Sequence, residues 1–253
     1  MWTAALWGLV QGLTEFLPVS SSGHLVLVPA VFGADPPSLG TSAILHLGTL
    51  AAVVLYFRRD LLRLTRFRSD ETARRLVWLL AIGTVPAAIA GLLLEDALDE
   101  FNSEPRLVAI ALIFTGAMLV ASGAIVRRQR TIEQANRRDA VLIGLAQATA
   151  LIPGISRSGI TITAGLGRGL TATEAARFSF LLAVPVIAGA GLLEMIDAID
   201  QGSLTGELWV GVGVAAVSGY LAIDILLRLL RRAGLAGFGA YCLLFGVYAF
   251  VFV

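Results

Sequence analysis

Apolar residues fall along this chain in long blocks. Six of them, at 41–57, 76–94, 107–126, 175–196, 208–227 and 235–253, come close to the length a helix needs to cross a bilayer, about 20 residues for about 30 Å of hydrocarbon. Two more, 2–17 and 140–152, are too short, and each runs into a proline followed by serine and glycine. A short apolar segment that ends in such a break reads as a re-entrant or interrupted helix. Kinked spanning helices are the alternative. The pattern predicts an all-α polytopic membrane protein with six transmembrane helices and two re-entrant helix pairs.

Arginine placement orders these elements. Seven arginines lie between Arg58 and Arg75, five between Arg127 and Arg138, two at Arg168 and Arg177, and three at Arg228, Arg231 and Arg232. Six spans and two re-entrant segments put all seventeen on one face. The loop 95–104 opposite them is acidic, with Glu95, Asp96, Asp99, Glu100 and Glu104. The positive-inside rule assigns the arginine face to the cytoplasm, which leaves both termini outside the cell membrane. Arg106 then caps an outer helix end, and Arg157 alone falls at membrane depth.

The chain also repeats itself. A shift of 136 residues without gaps lays Gly8, Leu9, Gln11, Ser20, Ser22 and Gly23 on Gly144, Leu145, Gln147, Ser156, Ser158 and Gly159. Each half, 1–126 and 140–253, is one re-entrant segment followed by three spans, with the arginine-rich loop 127–139 between them. Three is odd, so the halves have opposite orientation. This inverted repeat places a site near the midplane where the halves meet, with the first break opening outward.

Composition narrows the class. The chain of 253 residues is 57% hydrophobic and 15% charged, against about 25% charged in soluble domains. Net charge is +1, which gives no electrostatic case for nucleic acid. The lone Cys242 excludes an internal disulfide and a cysteine-based metal site. The first ten residues lack the basic region and cleavage signal of a secretory leader. No glycine loop with a lysine is present, so nothing points to ATP.

Chemistry gathers in the two breaks. In the first, Gln11 and Glu15 share a helix face at i, i+4 spacing. Pro18 ends the helix, Ser20, Ser21 and Ser22 offer caps to a new one, and His24 follows. An ionisable Glu15 inside an apolar segment is a functional candidate, with a packing role as its rival. His24 can serve as a general acid or base near neutral pH or be structural. The second break, 153–161, holds Ser156, Arg157, Ser158 and Thr161. A guanidinium among hydroxyls and helix N-terminal amides suits a phosphate. An Arg157–Glu15 structural pair is the alternative. Glu15, with Gln11, can hold Mg²⁺ or Ca²⁺ against phosphate oxygens.

At these residues the sequence resembles the undecaprenyl-diphosphate phosphatases, the bacitracin-resistance membrane proteins. The resemblance rests on Gln11-x-x-x-Glu15 with the following Phe16 to His24, on Pro153 to Thr161, and on Phe178 to Pro185. It runs over nearly the whole chain. It implies hydrolysis of a polyprenyl diphosphate to the monophosphate, which recycles the lipid carrier of cell-wall glycan synthesis. Gln11 stands where the family has Glu or Gln, so Glu15 alone can supply a negative metal ligand. Ser22 replaces the usual Thr and keeps the hydroxyl. The family's extracytoplasmic active face agrees with the outward opening read from the arginines.

The expected site therefore has Glu15, Ser21, His24 and Arg157 as catalytic candidates. Ser20, Ser22, Ser156, Ser158 and Thr161 join Arg157 on the phosphates, and Glu15 and Gln11 hold the cation. Either Ser21 or a water attacks the terminal phosphorus. A polyprenyl-phosphate flippase is the rival, because inverted repeats with paired breaks are also transporter architecture. A membrane scaffold would leave Glu15 and Arg157 unexplained. The expected partners are the polyprenyl diphosphate and membrane lipid; a homodimer and a monomer both stay open.

Overall fold

The structure, a computed structural model, describes residues 1–34, 36, 37, 39–125, 129–200 and 206–253. Twelve α-helices carry the described residues: α1 (Trp2–Phe16), α2 (Ser21–Phe32), α3 (Leu39–Tyr56), α4 (Arg58–Leu64), α5 (Glu71–Leu93), α6 (Glu95–Asn102), α7 (Pro105–Ala121), α8 (Arg137–Thr149), α9 (Arg157–Gly167), α10 (Ala172–Asp200), α11 (Gly206–Arg232) and α12 (Ala236–Phe252). No strand occurs among the described residues beyond one isolated bridge, Arg130 to Leu170.

Each of the six apolar blocks falls on a helix, but length and composition qualify fewer as spans. Four helices are long and apolar enough to cross a membrane: Glu71–Leu93, Pro105–Ala124, Ala172–Leu192 and Gly206–Arg232. A fifth is reached if Gly40–Tyr56 is joined to Arg58–Leu64, although the two are bent by 78°. The bend follows the sequence. Apolar residues give way at Arg58 to a seven-residue helix with three arginines, which has no reason to continue into hydrocarbon. α12 is apolar but has 17 residues, about 26 Å at 1.5 Å per residue. Trp78, Leu92, Val217 and Leu244 are among the large apolar side chains left exposed, as lipid-facing positions would be.

Both breaks form where proline chemistry requires them. Leu17, which precedes Pro18, leaves the helix with φ −65° and ψ 142°, since a following proline disfavours helical backbone. In the second break Gly154 turns with φ +96°, and a Cβ there would press into the Val108 carbonyl of α7. Only glycine meets both demands. New helices then start alike. Ser20 Oγ accepts from the Gly23 amide at 3.2 Å, and Ser156 Oγ accepts from the Gly159 amide at 3.1 Å.

Packing brings the breaks together. α1 lies on α11 and α3, α8 on α5 and α9, α10 on α3 and α9, and α7 on α12. The α1–α11 contact is close because Gly8 faces the backbone of Gly211, and α8 meets α5 through Gly144 against Gly83. Small residues let helix backbones approach where burial of apolar surface supplies little drive. The Ser158 hydroxyl donates to the Leu17 carbonyl at 3.1 Å, so the second break is hydrogen-bonded to the first.

Residues 129–139 are strapped down rather than free. Buried Asp139 accepts from Arg130 and from Arg168, each at 2.7 Å. Arg75 donates to the Ala135 carbonyl at 2.6 Å. Arg177 pairs with Asp60. Arg127 and Arg128 lie outside the described residues, as do the side chains of Glu95 and Asp99.

Candidate functional site

Glu15 is on the last turn of α1, buried, and every strong donor nearby converges on its carboxylate. Arg157 Nη2 donates to Oε1 at 2.6 Å. Ser21 Oγ donates to Oε2 at 2.6 Å, and the Gln11 side-chain amide donates to the same oxygen at 3.0 Å. Glu15 and Arg157 are 142 residues apart, one from each break. The predicted carboxylate, hydroxyl and guanidinium thus meet in one place.

Two buried polar atoms of this cluster have no partner among the described residues: Arg157 Nη1 and Gln11 Oε1. An unpaired buried donor or acceptor costs about 1–3 kcal/mol, so these two atoms call for an explanation. Arg157 spends one arm on Glu15 and holds the other ready.

The cluster forms the polar end of a cavity of about 840 Å³. Glu15, Ser20, Ser21, Ser22, Ser156 and Arg157 line that end. Apolar lining comes from Leu25, Val26 and Ala30 of α2, Leu98 of α6, and Val186 and Ile187 of α10, and further polar lining from Ser42, His46, Asn102 and Ser103. The cavity thus joins a mostly apolar lining to a hydroxyl- and charge-bearing cluster, which matches a lipid with an anionic head.

The remaining predicted residues lie behind this wall. Thr161 Oγ1 is 2.6 Å from Ser179 Oγ and bonds the Arg157 carbonyl at 2.7 Å. Ser158 is fully buried, with its hydroxyl on Leu17. Both brace the turn that carries Arg157 and neither lines the cavity. His24 does not reach the carboxylate. Its Nδ1 is 2.8 Å from the Ser20 carbonyl and its Nε2 2.7 Å from the Tyr241 hydroxyl. Gln11 stands beside Glu15, also off the cavity surface.

Sequence reasoning missed His46. Its Nε2 is 3.6 Å from Glu15 Oε2, its Nδ1 is 2.8 Å from the Ser42 carbonyl, and the ring lines the cavity. A signal was available: a lone ionisable residue inside the apolar block 41–57 is a functional candidate by the same reasoning that selected Glu15. Tyr241 was missed as well, and an aromatic residue in the last apolar block carries no such signal.

Residues 4–248 match the family model described as Bacitracin resistance protein BacA. The chain is 47% identical over 252 residues to a protein of Rubrobacter xylanophilus named undecaprenyl-diphosphatase, covering 94% of this chain and 93% of that one. Proteins of the same name from Geobacter sulfurreducens and Thermomicrobium roseum are 46% and 43% identical. Each match covers 98% of this chain and 96% or more of the relative.

Proposed function

Because the chain belongs to the bacitracin resistance protein BacA family, we propose that it is an integral membrane phosphatase. It hydrolyses undecaprenyl diphosphate to the monophosphate and inorganic phosphate, and so returns the lipid carrier to cell-wall synthesis. One observation carries the reading. Ser21, Glu15 and Arg157 converge from two breaks on the wall of a mostly apolar cavity, and one Arg157 amino group is buried without a partner.

The prenyl tail lies along α2 and α10, and the diphosphate meets Arg157, Ser156, Ser20 and Ser22. Arg157 Nη1 bonds the terminal phosphate. Ser21 Oγ attacks the terminal phosphorus while its proton passes to Glu15, to which it already donates. The bridging P–O bond breaks, polyprenyl monophosphate leaves, and a phosphoserine remains. Water then attacks that phosphorus, the Oγ–P bond breaks, inorganic phosphate leaves, and Ser21 Oγ takes its proton back from Glu15. Positioning and charge stabilisation dominate phosphoryl transfer, so the guanidinium is the main protein contribution. His24, Ser158 and Thr161 hold the two turns in place. The serine route is preferred over direct water attack because the hydroxyl and the carboxylate are already in contact.

A divalent cation, Mg²⁺ or Ca²⁺, fits the donor set. Glu15 lines the cavity as a hard oxygen donor, and the unpartnered Gln11 Oε1 lies behind it. No group of three or more His, Cys, Asp or Glu that could hold a metal occurs among the described residues, so most ligands would come from phosphate and water, as magnesium sites commonly have it. When bound, the ion would neutralise charge on the phosphate oxygens.

The topology belongs to the same proposal. Six spans and two re-entrant pairs form inverted halves, 1–126 and 140–253, with residues 127–139 cytoplasmic, both termini outside and the site open outward. Support comes from paired features. α1 on α11 and α8 on α5 are counterpart contacts under the repeat, and the Ser20 and Ser156 caps are counterpart residues. A homodimer is compatible and unneeded, since Ser21, Glu15 and Arg157 come from one chain. The flippase reading has no observation in its favour beyond the shared architecture.

The test is phosphate release from undecaprenyl diphosphate and shorter analogues by purified protein in detergent, with and without a chelator. Detergent removes compartments, so release identifies hydrolysis. Intact lipid bound without release refutes the proposal.

A further inference from the structure

We propose that His24 and Tyr241 form a positioning pair that holds the Ser20–Ser21 turn in its attacking geometry, and that His24 is not the base for Ser21. The inference rests on the reading of Ser21 as the attacking hydroxyl.

Ser20 is the one non-glycine residue with positive φ among the described residues, at +67°. Side chains rarely adopt that backbone, and it persists only where the surroundings over-determine it. Here they do. The Leu17, Pro18 and Ser20 carbonyls of the break each receive a side-chain donor: Ser158 Oγ on Leu17 at 3.1 Å, Cys242 Sγ on Pro18 at 3.7 Å, and His24 Nδ1 on Ser20 at 2.8 Å. Two of these three supports trace to α12, because Tyr241, next to Cys242, holds His24 from behind. The strained residue immediately precedes Ser21, so the direction of the Ser21 hydroxyl towards Glu15 depends on this bracing.

The bonds fix the imidazole. A carbonyl oxygen only accepts, so Nδ1 carries the proton that bonds Ser20. Nε2 of the neutral ring then accepts from the Tyr241 hydroxyl at 2.7 Å. The ring also stacks on Tyr241 and Phe245, with centroids 5.6 and 5.0 Å away. It is buried and does not line the cavity. No lone pair is left to take a proton from Ser21. A general base needs to be within hydrogen-bond reach of the proton it abstracts, and Glu15 meets that condition.

Three variants test this: Tyr241→Phe, His24→Asn and His24→Ala. Tyr241→Phe removes one hydroxyl and keeps the ring, so kcat should fall roughly three- to tenfold, with KM within about twofold and the shape of the pH–rate profile unchanged. His24→Asn keeps a donor for Ser20 and has no base at neutral pH; it should stay within roughly tenfold of the wild-type kcat, whereas a missing general base costs about 10²–10⁴-fold. His24→Ala should fall well below His24→Asn. If His24→Asn is as inactive as His24→Ala and a limb of the pH profile disappears, His24 is the base and the proposal is overturned. A Tyr241→Phe enzyme equal to wild type overturns the part given to Tyr241. Amide hydrogen exchange over residues 17–24 should quicken in Tyr241→Phe whether or not the protein hydrolyses diphosphate. Quickened exchange with an inactive wild type would therefore refute the phosphatase reading and leave the bracing intact; unchanged exchange refutes the bracing. Should His24→Ala fail to fold, the other two variants still decide.

Discussion

Arg157 carries two burdens at one position. It neutralises Glu15 through Nη2 and keeps Nη1 buried without a partner. Each charge-assisted hydrogen bond lost with it is worth about 1.5–3 kcal/mol, or roughly tenfold or more in rate. Arg157→Ala should lower kcat/KM by at least that factor per phosphate contact, measured as phosphate release, while Arg157→Lys recovers only part because it cannot serve both directions at once. Ser21→Ala should lower kcat by about a hundredfold or more and abolish a trapped phosphoserine, which rapid acid quench and mass spectrometry would detect. Near-full turnover by Ser21→Ala would return the attack to water. At this scale the sequence was most informative. Proline, serine and an ionisable residue inside apolar blocks are each costly unless they serve a purpose, so Glu15, Ser21 and Arg157 stood out. His24 stood out for the same reason, but its partner Tyr241 is set by a fold that brings residues 217 apart into contact.

Among elements, the strap at residues 129–139 makes the sharpest claim. Burial alone would raise the Asp139 pKa. Hydrogen bonds from Arg130 and Arg168, and from the Asn136 amide, outweigh it and hold the carboxylate below its ordinary value. A depressed folded-state pKa stabilises the fold above the unfolded-state pKa, and that stability is lost as pH falls through the folded value. Asp139 should therefore contribute fully at neutral pH and fade below about pH 4. Asp139→Asn should cost about 1.5–3 kcal/mol at pH 7, seen as a lower thermal midpoint in detergent, and the gap to wild type should narrow on acidification. An unchanged midpoint would show that the strap is not a stabilising contact. Sequence reading took this arginine-rich stretch as a loop marking the cytoplasmic face. It did not foresee that Asp139 turns two of the nearby arginines inward, because a charge run has no periodicity that reveals its partners. Span lengths were likewise only partly legible, since the apolar block 41–57 gives no warning of a 78° turn into α4.

For the whole molecule, the two halves complete one site between them. Glu15 and Ser21 belong to the first half, and Arg157 to the second. Expressed as separate chains, 1–126 and 140–253 should be inactive alone and regain phosphate release when produced together in one membrane; activity from either half alone would refute the shared site. With Cys242 replaced by serine, a single cysteine at residue 3 should react with an impermeant thiol reagent in sealed cells, and one at residue 66 only after the cells are opened. The 136-residue shift aligned the two breaks in sequence. What it could not show was how they touch, since glycine pairs such as Gly144 and Gly83 read as composition until their helices meet.

The contact between Arg157 and Glu15 has a consequence for turnover. A phosphate on Arg157 Nη1 shares the guanidinium with a tethered carboxylate 2.6 Å from Nη2, so Glu15, through its charge, acts as a built-in rival of both substrate and product. Inorganic phosphate, which lacks the prenyl tail that secures the substrate, should lose that contest and leave readily. Product inhibition by phosphate should accordingly be weak, and Glu15→Gln, with the rival charge gone, should bind inorganic phosphate more tightly in calorimetry even as it loses activity.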